Sequence, residues 1–154
     1  MTLIIRGIGD IEAARGARVE SGWRAVTQEM IDTFADVTGD HQWVHVDPAR
    51  AAAESPYGTT IAHGFLTLSL LSAMLGECLS VPGAVSINYG LEHIRFVAPV
   101  PSGSRVRGRF TLGDVQHHGE NAVNVRWDLD VEIEGGAKPA LAAGWIVRIV
   151  FPVG

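Results

Sequence analysis

What the sequence has little of narrows the field first. Cysteine is nearly absent: Cys78 stands alone in 154 residues. No disulfide can close within the chain, and a reducing compartment, the cytoplasm, is its expected setting. No basic block occurs, and the formal net charge of −5 is mildly acidic, whereas nucleic-acid binding calls for a clustered basic excess. The densest positive run, Arg105, Arg107 and Arg109, alternates along a predicted strand, so its members share one face. That face is read as solvated, with the phosphates of a nucleotide-bearing substrate as the alternative. Long apolar runs are lacking too. Leu3-Ile4-Ile5 is broken by Arg6, and Ile61 to Leu75 is interrupted by His63, Gly64, Thr67, Ser69 and Ser72, so neither a signal peptide nor a membrane span is expected. Only 19% of residues are charged against 47% apolar, too apolar a balance for disorder. One domain over residues 1–154 is expected.

What is present divides into helices first and strands afterwards. Thr27 ahead of Gln28-Glu29-Met30 is a capping residue before an acidic first turn. Met30, Ile31, Phe34 and Val37 follow at helical spacing, and Gly39 provides the stop. Asp47-Pro48 opens a second helix that an alanine-rich run carries to Glu54, and Ser55-Pro56-Tyr57-Gly58 is a turn. The longest helix is predicted from about Gly64 to Leu79, with Phe65, Leu68, Leu71, Leu75 and Leu79 on one side and Leu66 and Leu70 on another. Such girth predicts burial on several sides.

Residues 11–26 carry weak signals, with one short strand around Ala17 to Trp23. Ala84 to Phe96 and Val106 to Leu112 are predicted strands, and His117-His118-Gly119-Glu120 the turn after them. Val123, Val125, Trp127, Leu129, Val131 and Ile133 then alternate with polar residues, and Ala143, Trp145, Val147, Ile149 and Phe151 do so after Gly135-Gly136. Trp23, Trp127 and Trp145 read as packing residues. The order implies an α+β plan, one buried helix wrapped by an antiparallel sheet.

Polar residues concentrate between the first two helices, from Thr38 to Asp47. Asp40 and His45 are five residues apart in a predicted loop. A carboxylate can hold and polarise a water, and an imidazole can take and return a proton. By themselves, an Asp and a His close together in a loop are more often a cap and a surface histidine. Ala62-His63-Gly64-Phe65 opens the long helix, where the N–H groups of Gly64 and Phe65 lack helical partners and can face a developing negative charge. The plain alternative is a glycine that permits close packing beside a loop histidine. Ser69 and Ser72 could face a ligand or a neighbouring element.

The spelling of these segments adds to that. Phe34-Ala35-Asp36-Val37-Thr38-Gly39-Asp40, then His45, then Asp47-Pro48 and an alanine-rich turn, resembles the hydratase motif of the MaoC-like (R)-specific enoyl-CoA hydratase family. Ala62-His63-Gly64, Asn88-Tyr89-Gly90 and Arg95-Phe96-Val97-Ala98-Pro99-Val100 are similar to it as well, and the resemblance covers about residues 20–150. It implies a hotdog fold, with an extra helical overhang carrying the catalytic loop, that forms a homodimer. It also implies reversible addition of water to a trans-2-enoyl thioester, carried by coenzyme A or acyl carrier protein, to give an (R)-3-hydroxyacyl thioester. Carried over by position, Asp40 and His45 are the catalytic pair and the Gly64 amide the oxyanion donor. Gln42, His63, Phe65, Asn88 and Arg95 are candidate substrate-binding residues, and no cofactor or metal is implied. Where the family has Asn-Pro between the Asp and the His, this chain has Gln42-Trp43. The resemblance there is closest to the nodulation-protein-N-like subgroup.

Three other readings compete. A hotdog thioesterase would place a carboxylate within the central helix, and only Glu77, near its far end, is available. A metal enzyme could draw on His41, His45, Asp47 and His63, without a cysteine pair or a His-Glu-x-x-His helix in support. A non-catalytic acyl-thioester binding module has no need of both Asp40 and His45.

Overall fold

The computed structural model describes residues 1–154. Its architecture follows from the alternation in the second half of the chain. β5 (Val85–Phe96), β6 (Arg105–His118), β7 (Ala122–Ile133) and β8 (Leu141–Val150) are the long strands, preceded by β1 (Leu3–Ile4), β2 (Arg18–Glu20), β3 (Arg24–Ala25) and β4 (Leu79–Ser80). The sheet is six-stranded in the order β2-β6-β7-β8-β5, with β3 also on β6, and its pairings are antiparallel. β1 and β4 form a separate parallel pair.

The helices are α1 (Ile8–Ala13), α2 (Gln28–Thr38), α3 (Trp43–Val46), α4 (Pro48–Glu54), α5 (Gly64–Ser69) and α6 (Leu71–Cys78). The core lies between the inner face of the sheet and α5–α6. Val123, Val125, Trp127, Leu129, Val131 and Ile133 all point inward, as do Val106, Phe110 and Leu112, and they meet Leu66, Leu71, Met74, Leu75 and Cys78. Burying each large side chain of this kind contributes roughly 1.5–3 kcal/mol. Gly108 is part of that packing: a Cβ there would sit 2.6 Å from the Phe110 ring and 3.2 Å from Met74 Sδ.

The central helix differs from expectation in three respects. It is irregular at Leu70, whose N–H is shared between the Leu66 and Thr67 carbonyls at 3.2 Å each. It ends at Cys78, because Leu79 is extended and pairs with β1. It is also buried on one side only: Phe65, Ser69, Ser72, Ala73 and Gly76 face outward. Spacing alone could not show this, since Ser, Ala and Gly are small enough to lie against another element or in the open.

Shorter elements depart as well. His117 and His118 are the last residues of β6, paired with Val123 and Ala122, and the turn comes after them, at Gly119 with φ 72°. The strand expected over residues 17–23 is interrupted at Ser21-Gly22, where Ser21 Oγ accepts the Gly108 N–H at 3.0 Å. β1 and α1 gave no sequence signal, yet Ile5 and Ile11 are 1% exposed. The arginine face is as read. Arg107 and Arg109 pair across the strands with Glu132 at 2.7 Å and Asp130 at 2.8 Å, and Arg105 pairs with Glu134. Each guanidinium already has its carboxylate partner.

β5 is an edge strand exposed on both faces. Its register slips after Asn88 and again after Glu92, and His93, in the second bulge, has φ 49°. No helix is long and apolar enough to cross a membrane.

Candidate active site

Asp40 owes its position to the end of α2. Thr27 Oγ1 caps the start of that helix by accepting the Met30 N–H at 3.2 Å, and Gly39 closes it in the left-handed conformation at φ 78°. The chain turns there, and Asp40 is the next residue. The segment beyond is helical where a loop was expected: α3 is a single turn, with His45 near its end. The Trp43 ring lies 4.3 Å beneath the Arg50 guanidinium of α4, so the bulky residue of the Gln42-Trp43 pair ties α3 to α4. Asp47 caps α4, accepting the Arg50 N–H at 3.0 Å, as read.

Three side chains of the sequence reading converge. Asp40, His45 and His63 each place one ligating atom within 4.8 Å of the others. His45 is 8% exposed and His63 3%, whereas the Asp40 side chain is 55% exposed. The surface-histidine reading therefore fails for His45. Its Nδ1 lies 2.7 Å from the Ile61 carbonyl; a carbonyl only accepts, so Nδ1 carries the proton and Nε2 is left with a free lone pair. By the same argument His63 Nε2, 2.9 Å from the Asp40 carbonyl, is the protonated nitrogen of that ring. The two imidazoles stack at 3.9 Å with planes 26° apart. Asp40 Oδ1 accepts the Gln42 N–H at 3.3 Å.

A residue that sequence reasoning missed holds this arrangement from below. Gln28, on α2, donates its amide to the His45 carbonyl at 2.7 Å and to Asp32 Oδ1 at 2.9 Å, and accepts the Thr60 hydroxyl. Nothing in its local sequence distinguishes it from any polar residue in a first helical turn.

Gly64 opens α5 against the other side of the site. A Cβ on it would come within 2.8 Å of the Phe96 ring, and neither its N–H nor that of Phe65 is donated to any group of the chain. A cleft of about 320 Å³ adjoins it, lined by His45, Tyr57, Ile61, Gly64, Thr67 and Phe96 among others. Phe65 is exposed and meets Phe96 edge-on at 5.9 Å. Phe96, like Gln28, was not singled out as a site residue in the sequence.

The remaining candidates lie elsewhere. Asn88 lines a second cleft of about 330 Å³ with Ser69, Ser72, Tyr89 and Trp145, along the open side of the helix, so both serines do face a cavity. The Arg95 guanidinium turns back to the Ile94 carbonyl at 2.9 Å, with no contact to Asp40, His45 or His63. Gln42 is exposed, and its side-chain amide bonds nothing in the chain.

The metal reading gains little from this geometry. His41 pairs with Asp36 at 3.0 Å and Asp47 is a cap, so the four residues named for it do not assemble. In the trio that does, His45 Nδ1 and His63 Nε2 are committed to carbonyls. Glu77 is also engaged: the Arg24 guanidinium bonds it, the Gly22 N–H donates to it at 3.0 Å, and both hold its carboxyl below the usual glutamate value. What the arrangement offers is a carboxylate in contact with solvent, an imidazole with one free nitrogen and an undonated helix N–H.

Comparison with known proteins agrees with that chemistry. The MaoC-like domain model matches residues 10–133. The chain belongs to this family. It is 52% identical over 145 residues to 3-hydroxyacyl-thioester dehydratase Z of Mycobacterium tuberculosis, covering 93% of this chain and 95% of that one. It is 49% identical over 147 residues to nodulation protein N of Rhizobium leguminosarum bv. viciae, covering 94% and 91%, so the subgroup resemblance holds. Among solved structures, the monoamine oxidase regulatory protein of Archaeoglobus fulgidus superposes with a TM-score of 0.80 at 25% identity, covering 99% and 100%. Sheet, central helix and overhang make this MaoC-like chain a hotdog fold.

Proposed function

We propose that Asp40 and His45 carry the reversible hydration of an enoyl thioester, a trans-2-enoyl group giving an (R)-3-hydroxyacyl product. The chain is a hydro-lyase, in keeping with its family and with the 3-hydroxyacyl-thioester dehydratase to which it is 52% identical. The observation that carries the residue assignment is the pinned His45 ring. Its Nδ1–H is spent on the Ile61 carbonyl, so Nε2 is left as its proton-transfer atom, on a ring that brings one nitrogen within 4.8 Å of a water-accessible carboxylate.

In the dehydration direction, one member of the pair takes the α-proton and the other gives a proton to the departing hydroxyl, which leaves as water. Electron density builds on the thioester oxygen as the α-proton departs, and the free Gly64 N–H is the group placed to receive it. Hydration runs the same steps in reverse. Asp40 is the exposed member, suited to holding the water, with the exposed Gln42 amide beside it in place of the family's asparagine.

The acyl chain is assigned to the cleft of Ser69, Ser72, Asn88 and Trp145. The working unit is a homodimer of one-domain chains in the cytoplasm. In support of the dimer, edge strand β5 exposes Val85, Ile87, Tyr89, Leu91 and Phe96 beside the uncovered side of the central helix, a contiguous apolar surface of the kind that marks an interface. Coenzyme A and acyl carrier protein are both open as carriers, with Arg95 an exposed cation available to either.

The test is stereochemical and spectroscopic. Loss of the conjugated-enoyl absorbance of a short trans-2-enoyl-CoA, with the (R)-3-hydroxyacyl thioester as product, is the expected result. Release of free thiol instead would make the protein a thioesterase and remove this assignment.

A further inference from the structure

Resting on the assignment of Asp40 and His45, the geometry points to one more participant. We propose that His63 is a positioning residue: its imidazole holds the Asp40 main chain and the His45 ring in working register without touching the substrate.

Three contacts of one side chain carry this. His63 Nε2 donates to the Asp40 carbonyl at 2.9 Å, tying down the residue that follows Gly39, the left-handed end of α2. One ring face stacks on His45 at 3.9 Å. Phe34, on α2, lies against the same ring at 5.0 Å and a tilt of 54°. The imidazole is thus wedged between α2 and α3, and through its own backbone it is joined to Gly64, the first residue of α5. Asp40, His45 and Gly64 come from separate segments; the His63 side chain meets the first two, and its backbone leads directly into the third.

Burial separates positioning from substrate contact. At 3% exposed, His63 has no surface to offer an acyl group. Its second nitrogen, Nδ1, is buried with no partner, so the ring keeps an uncompensated acceptor for the sake of the Nε2 bond and the stack. Desolvating a polar atom without a partner is destabilising. A phenylalanine would fill the same space without that cost, so packing alone does not account for an imidazole here.

Two substitutions divide the contacts. His63→Phe keeps a ring for His45 and Phe34 but removes the donor to Asp40; His63→Gln restores an N–H near the Nε2 position. Misplacement of a reacting group by about 1 Å costs on the order of a hundredfold in rate. His63→Phe is therefore expected to lower kcat on a trans-2-enoyl-CoA between about tenfold and a hundredfold, with KM unchanged and Tm held or raised. His63→Gln should recover part of the kcat. In an Asp40→Asn background, His63→Phe should add little further loss, since it acts through Asp40. Unchanged kcat in His63→Phe would overturn the proposal, and so would a raised KM at constant kcat, which would make His63 a substrate contact.

Imidazole nitrogen NMR of the unliganded protein gives a readout independent of turnover. His63 should be the Nε2–H tautomer and His45 the Nδ1–H tautomer, with the His45 pattern blurred in His63→Phe. The opposite tautomer at His63 would remove the bond to Asp40 and the proposal with it. An inactive wild type with the expected tautomers would instead count against the hydratase assignment while leaving the bracing geometry in place.

Discussion

The Phe96 ring lies across Gly64 so closely that a single added carbon would come within 2.8 Å of it. Gly64 is needed for the space, whatever its amide does. Gly64→Ala should push Phe96 aside, lowering stability by about 1–3 kcal/mol as overpacking does. It should also cut turnover, because the displaced ring lines the cleft that holds His45. Gly64→Ala/Phe96→Leu should regain most of the lost Tm. A Tm deficit that the second substitution leaves unchanged would show that the overlap is relieved elsewhere.

Ser72 faces the cleft assigned to the acyl chain. Ser72→Leu should fill it, reducing kcat/KM for long-chain enoyl thioesters by tenfold or more, on the scale of about 1–3 kcal/mol per methylene in a tight apolar pocket, while a four-carbon substrate is little affected. Equal loss on every chain length would place the acyl group elsewhere.

Glu77 separates the hydratase from the thioesterase. The Arg24 guanidinium first, and the Gly22 N–H with it, hold its carboxyl below the usual glutamate value. A depressed carboxyl contributes stability that is present above its unfolded value and is lost as pH falls through the folded one. Its side chain is 38% exposed, so solvent weakens the effect. Glu77→Gln should lower Tm slightly at pH 7, the difference should close on acidification below about pH 4.5, and enoyl hydration should persist. Loss of activity with the fold intact would return Glu77 to the list of catalytic candidates.

His41 titrates in the opposite sense. The bond that its ring donates to the Asp36 carboxylate raises its value above 6.5. A raised histidine stabilises the fold below its unfolded value, and that contribution disappears as pH climbs through the folded one. Proton NMR should show His41 titrating above 6.5 in the wild type and lower in Asp36→Asn. The same midpoint in both would mean that the pair does not persist in solution.

Much of the fold is legible in the sequence. Two-residue alternation from Val123 to Ile133 has no other physical meaning than a strand with one dry face, and β7 is that strand. Asp40, His45 and Gly64 stood out because their residue types suit one chemistry and their order matches a motif. What stayed hidden was set by tertiary contact. β1 and α1 are too short to show a period, and exist because Ile5 and Ile11 find the core. α3 was read as loop because a single helical turn has no periodicity to detect. His117 and His118 looked like a turn because their strand pairing, not their side chains, continues β6. Gln28, and the contact that His63 makes beyond its place in the motif, involve carbonyls of residues distant in sequence, His45 and Asp40, and no local pattern encodes such a partner. The open side of the central helix was missed because its small residues are equally at home against an element of the same chain or against a second copy.

The most direct test of the account is the rate of enoyl absorbance loss for a short trans-2-enoyl-CoA, measured for wild type, Asp40→Asn and His45→Ala, with Tm recorded for each. We predict rapid loss in the wild type and a fall of about a hundredfold or more in both folded variants, the scale of a positioned acid–base group. Folded variants that retain near-full turnover would contradict the assignment of the pair.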